Sequence, residues 1–206
     1  MPRQNRVTPR GELIAVADRG LFWGNRGALL GASGRLARYS RGRVWIICLL
    51  DFKNRRRQLW TPGRLTELFF CDEATGLAAG HRPCGECRYA DYQRFKAAYH
   101  IAYPDRPLSA HDMDANLHVD RLAAPGTKRT FRARLDGLPD GAMIERGGRP
   151  WLVLRRELLG WTPAGYAERV PRTGGEVTVL TPRATIAVIA AGYQPVLHPT
   201  ATEVKG

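Results

Sequence analysis

Cys84 and Cys87 enclose only Gly85 and Glu86, and that spacing supplies half of a tetrahedral metal site. Four-coordinate zinc needs two more ligands, and no second Cys-x-x-Cys occurs anywhere in the 206 residues. If the pair binds metal, the fold must bring further donors to it from distant segments.

The candidates are few, because the chain has four cysteines and five histidines. Cys48 lies in "VWIICLL" (Val44–Leu50), an apolar run too short to span a bilayer that reads as a buried strand. By position Cys48 is the best third ligand. His81 precedes Cys84 by three residues across the Pro83 turn, and its imidazole completes the expected set of Cys84, Cys87, Cys48 and His81 around zinc. Cys71, His111 and His118 are further candidates. Each has a plainer role: Cys48 and Cys71 as small buried apolar residues, His81 as a helix-end residue. The pair could instead be a redox couple, with Cys87 in the first turn of a helix that lowers its thiol pKa, but no thioredoxin-like strand–helix–strand pattern surrounds it.

Charge supplies the second constraint. The net charge is +13, and up to Arg57 there are thirteen basic residues against Glu12, Asp18 and Asp51 alone. So basic a front predicts a polyanionic partner, nucleic acid before a membrane surface. Only Lys53, Lys96, Lys128 and Lys205 are lysines, and guanidinium groups make the flat bidentate contacts that suit phosphate and guanine. Aromatic residues interleave with the arginines in "RGLFWGNRG" (Phe22, Trp23) and "KNRRRQLW" (Trp60), a mixture fit for phosphates and stacked bases. The expected contact residues are Arg6, Arg26, Arg55, Arg56, Arg57 and Trp60, with Arg82 as an anchor beside the cysteines. With no secretory apolar segment and few cysteines, the sequence predicts a reducing compartment, the cytoplasm, and no membrane partner.

Along the chain, Glu12–Val16 and the Val44–Leu50 run read as strands, and "RRRQLW", "TPGR", "LTELFF" as strand, tight turn, strand. Asp72 is placed to cap the helix "EATGLAA", with Gly80 ending it in the left-handed conformation. "GECRYADYQRFKAAYHIAY" predicts a second helix stopped by Pro104, and Ser109 with Asp112 opens a third. In that third helix Asp114 and His118 are four apart and share a face, so they are the candidate catalytic pair, able to activate water or hold a metal. Beyond "APGTKRT" come a hairpin turning at Gly147-Gly148, a long irregular loop over "LGWTPAGYAERVPRTGG", the strand "EVTVL", and a helix capped by Thr181 with Pro182 at its first position.

The run "FFCDEATGLAAGHRPCGECR" resembles the metal-binding domain of the Ada adaptive-response DNA repair protein, which has an aromatic strand, a helix ending Ala-Ala-Gly-x-Arg-Pro, and then Cys-x-x-Cys. The resemblance covers Arg43 to Phe95. In that family four cysteinates hold zinc, and one of the first pair accepts a methyl group from a DNA phosphotriester. Cys84 and Cys87 match the second pair. The first pair would fall near "DFKNRRRQL", where this chain has no cysteine, so the methyl acceptor is unmatched. The resemblance thus implies an Ada-like fold and a DNA-facing surface without the same reaction.

Together these readings predict an α+β protein. Residues 1–124 would form a basic arm and an Ada-like, zinc-binding module of sheet and helices, and residues 125–206 a smaller β-rich part packed on it. The expected function is binding of nucleic acid, DNA foremost, in genome maintenance. The alternatives are a metal-dependent enzyme acting on nucleic acid, as a nuclease or damage-processing enzyme, and a non-catalytic structural or interaction protein.

Overall fold

The computed structural model describes residues 1–55 and 58–202. The first half builds a six-stranded mixed sheet from β1 (Arg6–Val7), β2 (Leu13–Ile14), β3 (Phe22–Asn25), β4 (Ile46–Leu49), β5 (Leu68–Phe70) and β6 (Arg82–Pro83), in the order β2-β1-β5-β3-β4-β6. Pairings β1·β5 and β4·β6 are parallel, and the others are antiparallel. Strand alternation divides the sheet into two faces. Phe22, Ile47, Leu68 and Phe70 enter the core, where they meet Leu77 of α1 (Glu73–Ala78) and Tyr92, Phe95 and Tyr99 of α2 (Tyr89–Ala102). Trp23, Asn25, Cys48 and Phe69 belong to the opposite face.

Gly24 is the inward residue at the centre of this sheet, where a Cβ would lie 1.9 Å from the Ile46 carbonyl oxygen and 2.9 Å from the Phe70 ring. Backbone cannot yield as a side-chain tip can. Gly24→Ala is therefore expected to push β3 from β4 and cost about 1–3 kcal/mol, measured by urea unfolding.

Helix α1 starts where the sequence places it. Asp72 Oδ1 accepts from Thr75 N at 2.8 Å, and Gly80 adopts φ 92° just past the helix. Its C-terminus receives two cations: Arg121 Nε donates to Gly80 O at 2.6 Å, and Lys128 Nζ donates to Ala78 O. Both complement the negative end of the helix. Burial takes Lys128 down to about 7 and Arg121 to about 9. Helix α3 (Ala110–Val119) opens as expected, with Asp112 N donating to Ser109 Oγ at 3.1 Å.

The second half contains a two-stranded hairpin, β7 (Leu122–Ala124) with β8 (Thr127–Lys128), at the place read as a boundary. An antiparallel sheet follows, made of β9 (Phe131–Arg134), β10 (Met143–Arg146), β11 (Arg149–Leu154), β12 (Glu157–Thr162), β13 (Gly165–Pro171) and β14 (Glu176–Val179), in the order β13-β12-β11-β10-β14-β9. The sequence predicted a hairpin at Gly147-Gly148, and β10–β11 turn there. The supposed loop over Leu159–Gly175 is instead largely β12 and β13, paired over most of their length with a bulge at Gly160/Trp161. Helix α4 (Arg183–Ala190) then returns to the first half: Ala184, Val188, Ile189 and the following Tyr193 share the core of α2. Pro182, not Thr181, is its N-cap, because Thr181 Oγ accepts from Met143 N at 2.9 Å. The start of α1 joins the two halves. Tyr166 Oη donates to Asp72 at 2.7 Å, Tyr193 Oη to Glu73 at 2.6 Å, and the Trp161 indole to Thr75 at 3.0 Å. No helix among the described residues is long and apolar enough to cross a membrane.

Candidate metal centre and the sheet face beside it

Parallel pairing of β4 with β6 sets the site. Ile46 and Ile47 lie opposite Arg82 and Pro83, and Cys84 N donates to Ile47 O at 2.9 Å, which brings Cys84 beside Cys48. The chain then makes one tight turn, closed by Arg88 N to Cys84 O at 3.2 Å, and that turn brings Cys87 back to the same point at the start of α2. The sulfurs of Cys48, Cys84 and Cys87 lie within 4.8 Å of one another and could hold a metal ion.

The thiols are set up for it. Hydrogen bonds from Cys48 and Cys87 pull the Cys84 thiol well down, aided by the backbone N–H groups of Cys87 and Glu86, the latter 3.4 Å from its sulfur. The same contact with Cys84 drives Cys48 far up. Cys87 is raised on balance: its hydrogen bond with Cys48 lowers it, but its hydrogen bond with Cys84 and burial outweigh that. Three thiols this close oppose one another's ionisation. A divalent ion allows all three to ionise.

His81, the expected fourth ligand, and Cys71, a further candidate, lie elsewhere. His81 is outside the sulfur cluster: its fully buried ring packs 4.7 Å from Phe70 and 5.3 Å from Trp45, and among the described residues neither nitrogen has a hydrogen-bond partner. Burial first, then Arg26 and Arg121, keep it neutral. The residue after a helix-ending glycine points into the core here, which spacing along the chain could not show. Cys71 is buried and stands apart, with burial raising its thiol.

The cysteines open onto a cavity of about 690 Å³ against the outer sheet face. Register makes that face ordered. Trp23 on β3 lies opposite both Cys48 on β4 and Phe69 on β5, and Arg6 follows across β1, giving the row Cys48–Trp23–Phe69–Arg6. Asn25 and Glu67 line the next row. The Arg6 guanidinium sits 4.7 Å over Phe69, and that of Arg55 5.3 Å from the Phe52 ring. Arg19 and Arg55 stand at the rim with the exposed apolar residues Leu50, Leu59 and Leu65. Glu67 is 6% exposed, its Oε2 accepts from Trp60 N at 3.0 Å, and no cation pairs with it among the described residues.

Other expected contact residues are placed differently. Arg26 is fully buried, 3.8 Å from the Tyr39 ring centroid, with Nη1 donating to Gly11 O at 3.0 Å. Arg82 is buried against Asp114. Neither reaches a surface partner, because each fills an interior cavity with a guanidinium stacked on aromatic rings. Phe22 is in the core. Trp60, with φ 65° and its indole donating to Gly34 O at 2.9 Å, borders a separate cleft with Arg3 and Arg35. Arg55 is exposed and pairs with Glu86 at 2.5 Å. Arg56 and Arg57 lie outside the described residues. Arg19, Arg35, Arg38, Arg41 and Arg43 are exposed, and among the described residues none of them pairs with a carboxylate.

Asp114 and His118 do not form the expected pair. Arg82 grips Asp114 with two bonds of 2.9 and 2.6 Å, and Arg121 lies 3.8 Å away. His118 rests edge-on against Trp45 at 5.9 Å, its pKa lowered first by burial and then by Arg121. An aspartate held between guanidiniums is a structural anion, and the shared helix face does not make it a base.

Sequence reasoning missed Asn25, Glu67, Phe69 and Arg19. Period-two alternation in "FWGN" and "TELFF" carried the signal for the first three, once those runs are aligned as neighbouring strands.

Comparison with protein-family models, with curated proteins and with solved structures finds no match.

Proposed function

We propose that this chain binds single-stranded nucleic acid on the outer face of its first sheet, beside a zinc ion held by Cys48, Cys84 and Cys87. One observation carries the reading: the row Cys48–Trp23–Phe69–Arg6, in which two aromatic rings lie side by side between a cysteine and a guanidinium and the first three residues line the cavity. Sheet faces of this composition stack bases, and exposed arginines around them neutralise phosphates. The resemblance of the Cys84–Cys87 segment to an Ada-type module supports zinc as the ion and DNA as the first ligand to test. Zinc also suits a sulfur-only donor set.

Fluorescence anisotropy with a labelled single-stranded oligonucleotide tests this. Log K is expected to fall linearly with log salt, by about 0.7 per neutralised phosphate, and Arg19→Ala and Arg55→Ala should each flatten the slope by about that amount. Phe69→Ala should weaken binding by about 1–3 kcal/mol at every salt concentration. Absent or salt-insensitive binding rejects the proposal.

A further inference from the structure

Three cysteines leave a tetrahedral ion one ligand short, and the residues around the missing position decide what it does. Among the described residues no fourth cysteine, histidine or carboxylate joins the cluster. All three cysteines line the 690 Å³ cavity, so the remaining position lies on the cavity side and not toward the packed core. Closed structural sites use four protein ligands, whereas a site with three and a pocket keeps its last position for an exogenous donor.

We infer that the metal held by Cys48, Cys84 and Cys87 is a ligand-accepting centre, whose fourth position takes a ring nitrogen from an unstacked nucleobase lodged against Trp23. This rests on the nucleic-acid reading above and gives it a point of chemical contact. Three considerations select the donor. A divalent ion with three thiolates carries a net negative charge, which favours a neutral donor over an anion. Zinc is borderline-soft and takes nitrogen readily. The cavity walls suit a planar heterocycle: Trp23 stands in register beside Cys48, with Phe69 on its far side. Polar groups converge on the same space. Asn25 has its Oδ1 engaged by Gly27 N at 3.3 Å, and its amide nitrogen has no acceptor among the described residues. The Glu67 carboxylate is buried, and among the described residues no cation pairs with it. A donor amide and an acceptor carboxylate side by side read the edge of a base, while Arg19 and Arg55 at the rim are placed for its phosphates.

Cobalt(II) in place of zinc makes the coordination visible. Purified protein reconstituted with one equivalent of Co²⁺ should show the intense visible bands of a tetrahedral sulfur-rich site. Imidazole, a bare ring-nitrogen donor, and adenosine monophosphate should each shift those bands saturably. Inorganic phosphate, which tests the anion alone, should not. Trp23→Ala should raise the half-saturating adenosine monophosphate concentration about tenfold. Bands unmoved by both nitrogen donors, a response to phosphate alone, or failure to retain Co²⁺ would each overturn the inference. The two readings fail separately. Oligonucleotide binding with unmoved bands keeps the sheet-face interface and removes the open centre. Shifted bands without oligonucleotide binding keep the open centre and remove the nucleic-acid partner.

Discussion

An Asp114→Ala variant is expected to lose about 3–5 kcal/mol of stability, the usual consequence of leaving a buried charge without its counterion. The Asp114 and Arg82 side chains are 3% and 5% exposed and meet in a two-bond contact, with the Arg121 guanidinium 3.8 Å away. Truncation would strand two guanidiniums in the interior, where among the described residues Arg82 keeps Pro83 O and the Tyr92 ring, and Arg121 the Gly80 and Arg43 carbonyls and the Trp45 ring. The damage would reach the metal centre, because Arg82 directly precedes Pro83 and Cys84 on β6. Asp114→Asn keeps an acceptor and should lose less. An Arg82→Met/Asp114→Leu double variant, which removes both charges, should lose less than the sum of the single changes. Urea unfolding of these variants, together with Arg82→Met and Asp114→Leu alone and the wild type, reads this directly. A loss for Asp114→Ala below about 1 kcal/mol would be that of an exposed ion pair and would contradict the buried anion described here.

The same residue shows where sequence reasoning reached its limit. Asp114 and His118 do share one face of α3, as their spacing implies, yet function depends on what faces that face. Arg82 and Arg121 come from other segments, and nothing local to α3 announces them. Local rules worked where local chemistry decides: the Asp72 cap, the Ser109–Asp112 box, the stop at Gly80, the buried strand around Cys48. They failed where pairing decides. The segment Leu159–Gly175, rich in glycine, proline and arginine, looks like a loop, but β11 supplies the partner that makes β12 a strand and β12 in turn orders β13. The third cysteine was legible because Cys48 lies on the strand just before the place where the Ada-type module carries its first cysteine pair. His81 was misjudged because its distance from Cys84 along the chain is short, while β6, an extended segment, carries the two apart. The basic front was likewise legible as a count and not as a surface, since Arg26 serves the interior and Arg19 the rim of the cavity.

Zinc is expected to stabilise the fold by about 4 kcal/mol when free zinc exceeds its dissociation constant about a thousandfold. The argument follows from where the donors originate. Cys48 lies on β4, whereas Cys84 and Cys87 come after β5, α1 and β6, so an ion that binds all three ties β4 of the first sheet to the start of α2. The unfolded chain keeps only the Cys84–Cys87 pair together, so binding to it is weak and most of the binding free energy appears as folding free energy. Thermal unfolding with and without a chelator should show the difference, together with close to one zinc per chain by elemental analysis. Cys48→Ser is the decisive variant. It leaves the pair intact, yet should lose the metal and the chelator response as fully as Cys84→Ser, whereas Cys71→Ser should retain both. A Cys48→Ser protein that still held zinc tightly would mean that a donor other than Cys48 completes the pair, and the open position facing Trp23 would then be filled.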